Sequence, residues 1–220
     1  MHLSKYFKLA LPNRSLVLEV SFIGRRSVFN ELSNIVMNSI SIKYADSGVI
    51  RAVGNEICIL DYYVNVDCSG NCVRVGRHVE SVELMGILTN IIVNILNHDF
   101  IKIGIDYGTE RTGVILVYDN TPLIGSILTP VKLTKLIKLI NSRLSGVAIG
   151  DSPASRRFLR RHINELCSIA DNVLIIDELE SSRLRNWVST SGLMDDIADA
   201  YVIALTKPKV TIKCPNSKIT

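Results

Sequence analysis

Ile101-Lys-Ile-Gly-Ile-Asp-Tyr-Gly-Thr-Glu-Arg-Thr-Gly-Val-Ile-Leu-Val-Tyr118 reads as an apolar strand, a tight glycine turn and a second apolar strand. Residues 101–106 and 112–118 therefore predict a hairpin. The first strand ends in a lone carboxylate, Asp106, beside the turn. Taken alone, an Asp-x-Gly of this kind caps its turn. Its context changes that weighting, because Asp151, Glu178, Asp196 and Asp199 supply further acids at strand ends and on a helix.

Downstream, residues 121–128 predict a third strand, and 131–144 place apolar and basic residues at helical spacing. Ser145-Gly146 leads into a strand at 147–149, a Gly-Asp-Ser-Pro turn and a helix at 154–170. Residues 173–176 form a short buried strand and 195–205 a last helix. Strands that pair first as a meander and later through helical crossovers describe a mixed α/β sheet with helices on both faces. Beyond Pro208 the chain reads as a short edge strand or a loose end.

His98-Asp99 marks the expected boundary, which gives residues 1–98, 99–208 and a tail at 209–220. The first part predicts a small α+β domain: a strand at 16–23, a helix at 28–37, a meander of 40–44, 49–53 and 56–66, and an apolar helix at 82–96. Turns are expected at Asp46-Ser-Gly and Gly54-Asn. Nothing there clusters acids, histidines or glycines in a way that spells chemistry. The 82–96 helix suits core packing best.

With 220 residues, 47% of them hydrophobic, and a mean hydropathy of +0.27, the chain can bury a substantial core and is not disordered. Polar residues interrupt the longest apolar runs, and Lys5, Lys8 and Arg14 punctuate the early ones, so neither a membrane span nor a signal peptide is expected. A cytoplasmic protein with no membrane partner follows. A net charge of +4 permits a nucleic-acid partner without demanding one. Lys132, Lys135 and Lys138 at helical spacing read as a solvated face. The cysteines at 58, 68, 72, 167 and 214 do not complete a zinc set. Free buried thiols are the first reading, ahead of a disulfide and of zinc at Cys68-Ser-Gly-Asn-Cys72 with His78.

Asp196-Ile-Ala-Asp199 sets two carboxylates three residues apart on one helix face, beside small and apolar residues that should pack on the sheet. Like charges held there are unfavourable unless a cation offsets them. Asp195 is explained by an N-cap role. In Val173-Leu-Ile-Ile-Asp-Glu-Leu-Glu180, strand alternation sends Glu178 and Glu180 to one face and Asp177 to the other. Hard oxygen donors of this kind suit Mg²⁺ or Mn²⁺, which promote phosphodiester hydrolysis without a protein nucleophile. No Ser-His-Asp or Cys-His pattern competes.

Ile103-Gly-Ile-Asp106-Tyr-Gly-Thr-Glu-Arg-Thr-Gly113, Val147-Ala-Ile-Gly-Asp-Ser-Pro153, Ile175-Ile-Asp-Glu178-Leu and Asp196-Ile-Ala-Asp199-Ala-Tyr-Val-Ile-Ala-Leu205 resemble the RuvC and YqgF branch of the RNase H-like superfamily, over residues 100–207. The resemblance implies an RNase H-like fold and a metal-dependent, structure-selective nuclease, with a Holliday junction resolvase as its nearest kind. It places catalytic and metal-binding roles on Asp106, Asp196 and Asp199. The middle acid is Asp151 by RuvC strand order or Glu178 by the YqgF pattern, where Leu179 replaces the family's arginine; Glu178 is preferred. It also implies phosphate contacts from Arg156, Arg157, Arg160, Arg161, Arg183 and Arg185, branched DNA as partner, and a homodimer to match a two-fold junction.

Two other readings stand beside this one. A non-catalytic nucleic-acid-binding protein would keep the fold and lose a ligand. Gly104-Ile-Asp-Tyr-Gly-Thr109 is also similar to the phosphate loop of actin-like kinases and heat-shock ATPases, which need two such lobes where this chain supplies one.

Overall fold

The computed structural model describes residues 18–45, 50–52, 54, 56–186, 188 and 192–215. The start of the strand expected at 16–23, the turn expected at 46–48, and residues 49, 53 and 55 of the expected meander lie outside them. The first half contains β1 (Leu18–Ile23), α1 (Arg26–Ile35), β2 (Ile40–Tyr44), β3 (Ile50–Ala52), β4 (Glu56–Leu60), β5 (Cys68–Gly70), β6 (Cys72–Arg74) and α2 (Ser81–Ile95). The second contains β7 (Ile101–Tyr107), β8 (Thr112–Tyr118), β9 (Thr121–Leu128), α3 (Pro130–Leu139), β10 (Gly146–Gly150), α4 (Pro153–Ile169), β11 (Asn172–Ile176), α5 (Glu178–Arg185), α6 (Asp195–Leu205) and β12 (Val210–Lys213).

The first half departs from the expected meander. Its four-stranded sheet has the order β2-β1-β4-β6 and every pairing is parallel, while β3 and β5 pair separately, also in parallel. Parallel strands need crossover connections, which α1 provides between β1 and β2. In β4, Ile57-Cys-Ile-Leu60 is buried without alternation, as a strand covered on both faces requires. The ends of β1 and β4 are clasped by Asp61, whose side chain is fully buried. It accepts hydrogen bonds from the Arg25 backbone N–H (2.8 Å), Nε (2.6 Å) and Nη2 (2.8 Å), and from the Tyr62 N–H (2.7 Å).

The six-stranded sheet has the order β12-β11-β10-β7-β8-β9. β7, β8 and β9 are antiparallel neighbours, whereas β7, β10 and β11 run parallel. This is the mixed α/β sheet flanked by helices that the alternation of strands and helices predicts. Alternation along β7 assigns its two faces. Ile101, Ile103 and Ile105 join the large core that includes Leu133, Leu136, Phe158 and Leu166 of α3 and α4. On the other face, Ile115 and Val117 of β8 pack against Ile197, Ala200, Tyr201 and Ala204 of α6.

α6 approaches the sheet closely because two strand positions on that face are glycine. A Cβ on Gly104 would stand 2.1 Å from the Ala200 carbonyl oxygen, and one on Gly113 1.8 Å from that of Asp196. On the opposite face, α2 bonds to α3. Lys132 pairs with Glu80 at 3.2 Å and Lys135 with Glu83. The Asn90 amide donates to the Leu139 carbonyl (2.9 Å) and accepts from the Asn141 N–H (2.9 Å). Two of the three lysines read as a solvated face are thus anchors between helices.

The tail after Pro208 forms an edge strand, β12, antiparallel to β11. Cys167 on α4 is disulfide-bonded to Cys214 just beyond β12, with the Cα atoms 5.0 Å apart, and Cys72 is disulfide-bonded as well. This corrects the expectation of free thiols, which Cys58 alone meets among the described residues. The two cysteines meet because α4 and β12 both flank β11, a tertiary contact that a 47-residue separation does not reveal. Among the described residues no helix is long and apolar enough to cross a membrane.

Closing a loop of that length limits the unfolded chain by on the order of 4 kcal/mol in the chain-entropy treatment. Cys214→Ser should therefore lower the urea midpoint by a like amount in free energy. Amide exchange at residues 210–213 should rise more than in β7.

Candidate carboxylate site

The acids meet at the C-terminal end of β7. Asp106 shares its face with Gly104, so it points toward α6, where Asp196 and Asp199 occupy the exposed side of the first two turns. A cavity of about 320 Å³ opens there, lined by Asp106, Glu178, Ser181, Ser182, Arg185 and Asp199.

Glu178 reaches it by a route different from strand alternation. β11 ends at Ile176, and the Asp177 carboxylate accepts the Leu179 N–H (2.9 Å) to cap α5. Glu178 is the first residue of that helix and leans back over β10. A Cβ on Gly150 would lie 3.4 Å from Glu178 Oε1, so the glycine leaves room for the acid. Glu180 turns outward and pairs with Arg183 at 2.8 Å.

Asp151 does not join the cavity lining. β10 runs beside β7 with Ile149 opposite Ile105, which brings Gly150 level with Asp106 and gives Asp151 the opposite parity. Its carboxylate is held by Arg156 (2.6 and 3.0 Å) and Lys209 (3.0 Å). The Arg156 hydrogen bond, seconded by Lys209, keeps it below the usual carboxylate range. Asp195 is also not the expected cap: Met194 holds that position, and Asp195 projects into solvent beside Arg185 at 3.3 Å.

Burial raises the Asp106 pKa from 3.8 to about 6, aided by the charges of Asp199, Asp196 and Glu178. Two arginines temper the cluster. Arg111, in the turn after β7, contacts Asp196 at 2.6 Å. Arg185 contacts Asp199 through Nε at 3.0 Å, while its buried Nη1 has no hydrogen-bond partner. Among the described residues no three His, Cys, Asp or Glu side chains are gathered closely enough to hold a metal ion.

The arginines grouped by the sequence separate in space. Arg156 is committed to Asp151, Arg183 to Glu180 and Arg185 to the acids of α6. Arg157 and Arg161 line a second cleft, on the α4 side of the sheet, and Arg160 is exposed. Sequence reasoning missed Arg111, whose signal is its place in the turn directly after Asp106. It also missed Asp61, an acid ending the apolar run of β4.

Fold and site together define a mixed α/β protein with a carboxylate cleft at one end of its six-stranded sheet. No family model and no curated protein matches the chain. Among solved structures it is similar to T. thermophilus RuvC in complex with Holliday junction substrate. The identity is 15% and the TM-score 0.35, over 48% of this chain and 90% of that one, which makes it a distant likeness of fold.

The raised Asp106 pKa has a definite sign for stability. Below pH 3.8 the carboxyl is protonated in folded and unfolded chains alike and makes no difference. As pH rises the unfolded chain ionises first, so the folded state is penalised progressively, fully so above about pH 6. The rise from 3.8 to about 6 corresponds to at most on the order of 3 kcal/mol, reduced by solvent screening at this partly exposed carboxylate. In buffer containing a chelator, Asp106→Asn should thus melt higher than the native protein at pH 7.5, and the gain should vanish by about pH 4.

Proposed function

We propose that the protein is a divalent-metal-dependent nuclease that hydrolyses phosphodiester bonds in nucleic acid, with branched DNA as its preferred substrate. The observation that carries this reading is Asp106, a half-buried carboxylate facing Glu178, Asp196 and Asp199 at one sheet edge, each raising its affinity for a proton. A group destabilised in this way by like charges is relieved by a cation. The donors are all carboxylate oxygens, which fit Mg²⁺ or Mn²⁺ by chemistry.

Asp106, Glu178 and Asp199 would hold the ion only once their carboxylates draw closer across the cavity than they stand here, with Asp196 joining when Arg111 releases it. A bound ion supplies charge neutralisation at the phosphate and an activated water. Arg185 would have to swing its buried Nη1, without a hydrogen-bond partner among the described residues, outward to meet a phosphate oxygen, and Arg111, once free of Asp196, would meet one from the turn after β7. The hydroxyls of Ser181 and Ser182 both donate to the Glu178 carbonyl and steady the first turn of α5. Asp151 is assigned to orienting Arg156 instead of to the metal. Two copies acting together would match the two scissile strands of a four-way junction.

A second reading has its own support. Arg111 and Arg185 already neutralise Asp196 and Asp199, as they would in a protein that binds nucleic acid without cutting it. Cleavage of labelled four-way junction, duplex and single-stranded substrates with Mg²⁺ or Mn²⁺ separates the two. The nuclease reading expects junction cutting that Asp106→Asn and Asp199→Asn each reduce by more than about 100-fold, since even outer-shell changes lower metal-site activity by 10- to 100-fold. Salt-sensitive binding with no metal-dependent cutting would establish the second reading and overturn the first.

A further inference from the structure

Behind Asp106, on the opposite face of the sheet, lies a second cleft of about 330 Å³ that the proposed chemistry does not use. Tyr107, the next residue of β7, points into it by strand alternation, away from α6. Its ring stacks on Phe158 of α4 with centroids 4.6 Å apart and planes 27° apart, and Phe158 in turn meets His162 at 4.7 Å. Phe158 is buried within this column, whereas Tyr107 and His162 are half-exposed at its two ends. Arg157 and Arg161 also line the cleft. They stand four residues apart on α4, so they flank it from one helix face. Both are exposed, and neither has an ion-pair partner among the described residues, unlike Arg156 on the same helix.

A partly exposed aromatic ring, Tyr107, in a cleft shared with two guanidinium groups that have no ion-pair partner among the described residues matches the two halves of a nucleotide. Bases stack on aromatic rings whatever their sequence, and free arginines pair with phosphate oxygens. A base held in a duplex stack cannot reach such a cleft without leaving its partner, so the geometry selects unpaired nucleotides. We propose that this cleft receives one unpaired nucleotide of the bound nucleic acid, its base continuing the ring column from Tyr107 and its phosphates held by Arg157 and Arg161. Because Asp106 and Tyr107 are consecutive in β7, a strand crossing this sheet edge reaches both clefts. The inference rests on the nucleic-acid reading above. It adds what makes the protein selective for structure: an extruded base registers the strand on the acids.

The test uses the full chain in chelator at low salt, so that binding is measured without cutting. The probes are two duplexes identical except that one carries a single unpaired 2-aminopurine at its centre. The native protein should bind the bulged duplex roughly 10-fold more tightly than the paired one and quench the 2-aminopurine, as base stacking on an aromatic ring implies. Tyr107→Phe should retain both effects and Tyr107→Leu should lose both. The exposed pair Arg157→Ala with Arg161→Ala should weaken binding to the bulged duplex more than to the paired one and lower the salt slope of the bulged probe by about 2. That double variant carries the test even if Tyr107→Leu does not fold, which a thermal melt reports. Equal binding of the two duplexes by the native protein, or quenching that survives in folded Tyr107→Leu, would overturn this inference and leave the nucleic-acid reading standing. Binding of neither duplex would overturn this inference, and failure to bind the four-way junction as well would overturn the nucleic-acid reading.

Discussion

Helix α6 lies on the sheet at backbone contact, and the arrangement of the site follows from that approach. The glycines of β7 and β8 admit the Asp196 and Ala200 carbonyls to distances that a methyl group would block. Once the helix is that close, its first turns overhang the C-terminal end of β7. Asp196 and Asp199 then face Asp106 without any loop having to place them. Helices and strands hold such groups with less freedom than loops do. The folding energy gained by Ile197, Ala200, Tyr201 and Ala204 against Ile115 and Val117 thus also holds like charges together.

Those charges are kept in check by position as well as by partners. Arg111 reaches Asp196 and Arg185 reaches Asp195 and Asp199, and neither contacts Asp106 as an ion pair. Burial, seconded by its like-charged neighbours, therefore raises the proton affinity of Asp106, while that of Asp151, gripped by Arg156 and Lys209, is lowered. Parity along the strands divides the labour further. Gly104, Asp106 and Gly150 belong to the α6 face, whereas Tyr107 and Asp151 belong to the α4 face, so adjacent residues serve different surfaces of one edge.

The hairpin of β7 and β8 and the helix from Asp195 to Leu205 could be read from the chain because each is a long segment with a single period. Asp106 was legible for the same reason, as an acid ending a regular apolar strand beside a glycine turn. Glu178 was legible as a residue but through the wrong geometry: the strand was carried past Ile176, although Asp177 with Glu180 three residues on has the form of a capping signal. The parallel sheet of the first half was not legible, because short apolar strands do not declare their direction. The Arg111–Asp196 and Cys167–Cys214 contacts were equally hidden, since both join segments that only the finished sheet brings together.

Both rims of the six-stranded sheet are closed by this chain. Beside β9, the segment after α1 adds a bridge between Val36 and Ile124 and a hydrogen bond from the Met37 N–H to the Leu123 carbonyl (2.9 Å). Beside β11, the four-residue β12 is flanked by Lys209, carries Lys213 and is secured through Cys214. A short, lysine-bearing outer strand is a poor template for recruiting another molecule's backbone. The six-stranded sheet is accordingly guarded against growth by backbone pairing between copies at its β12 rim.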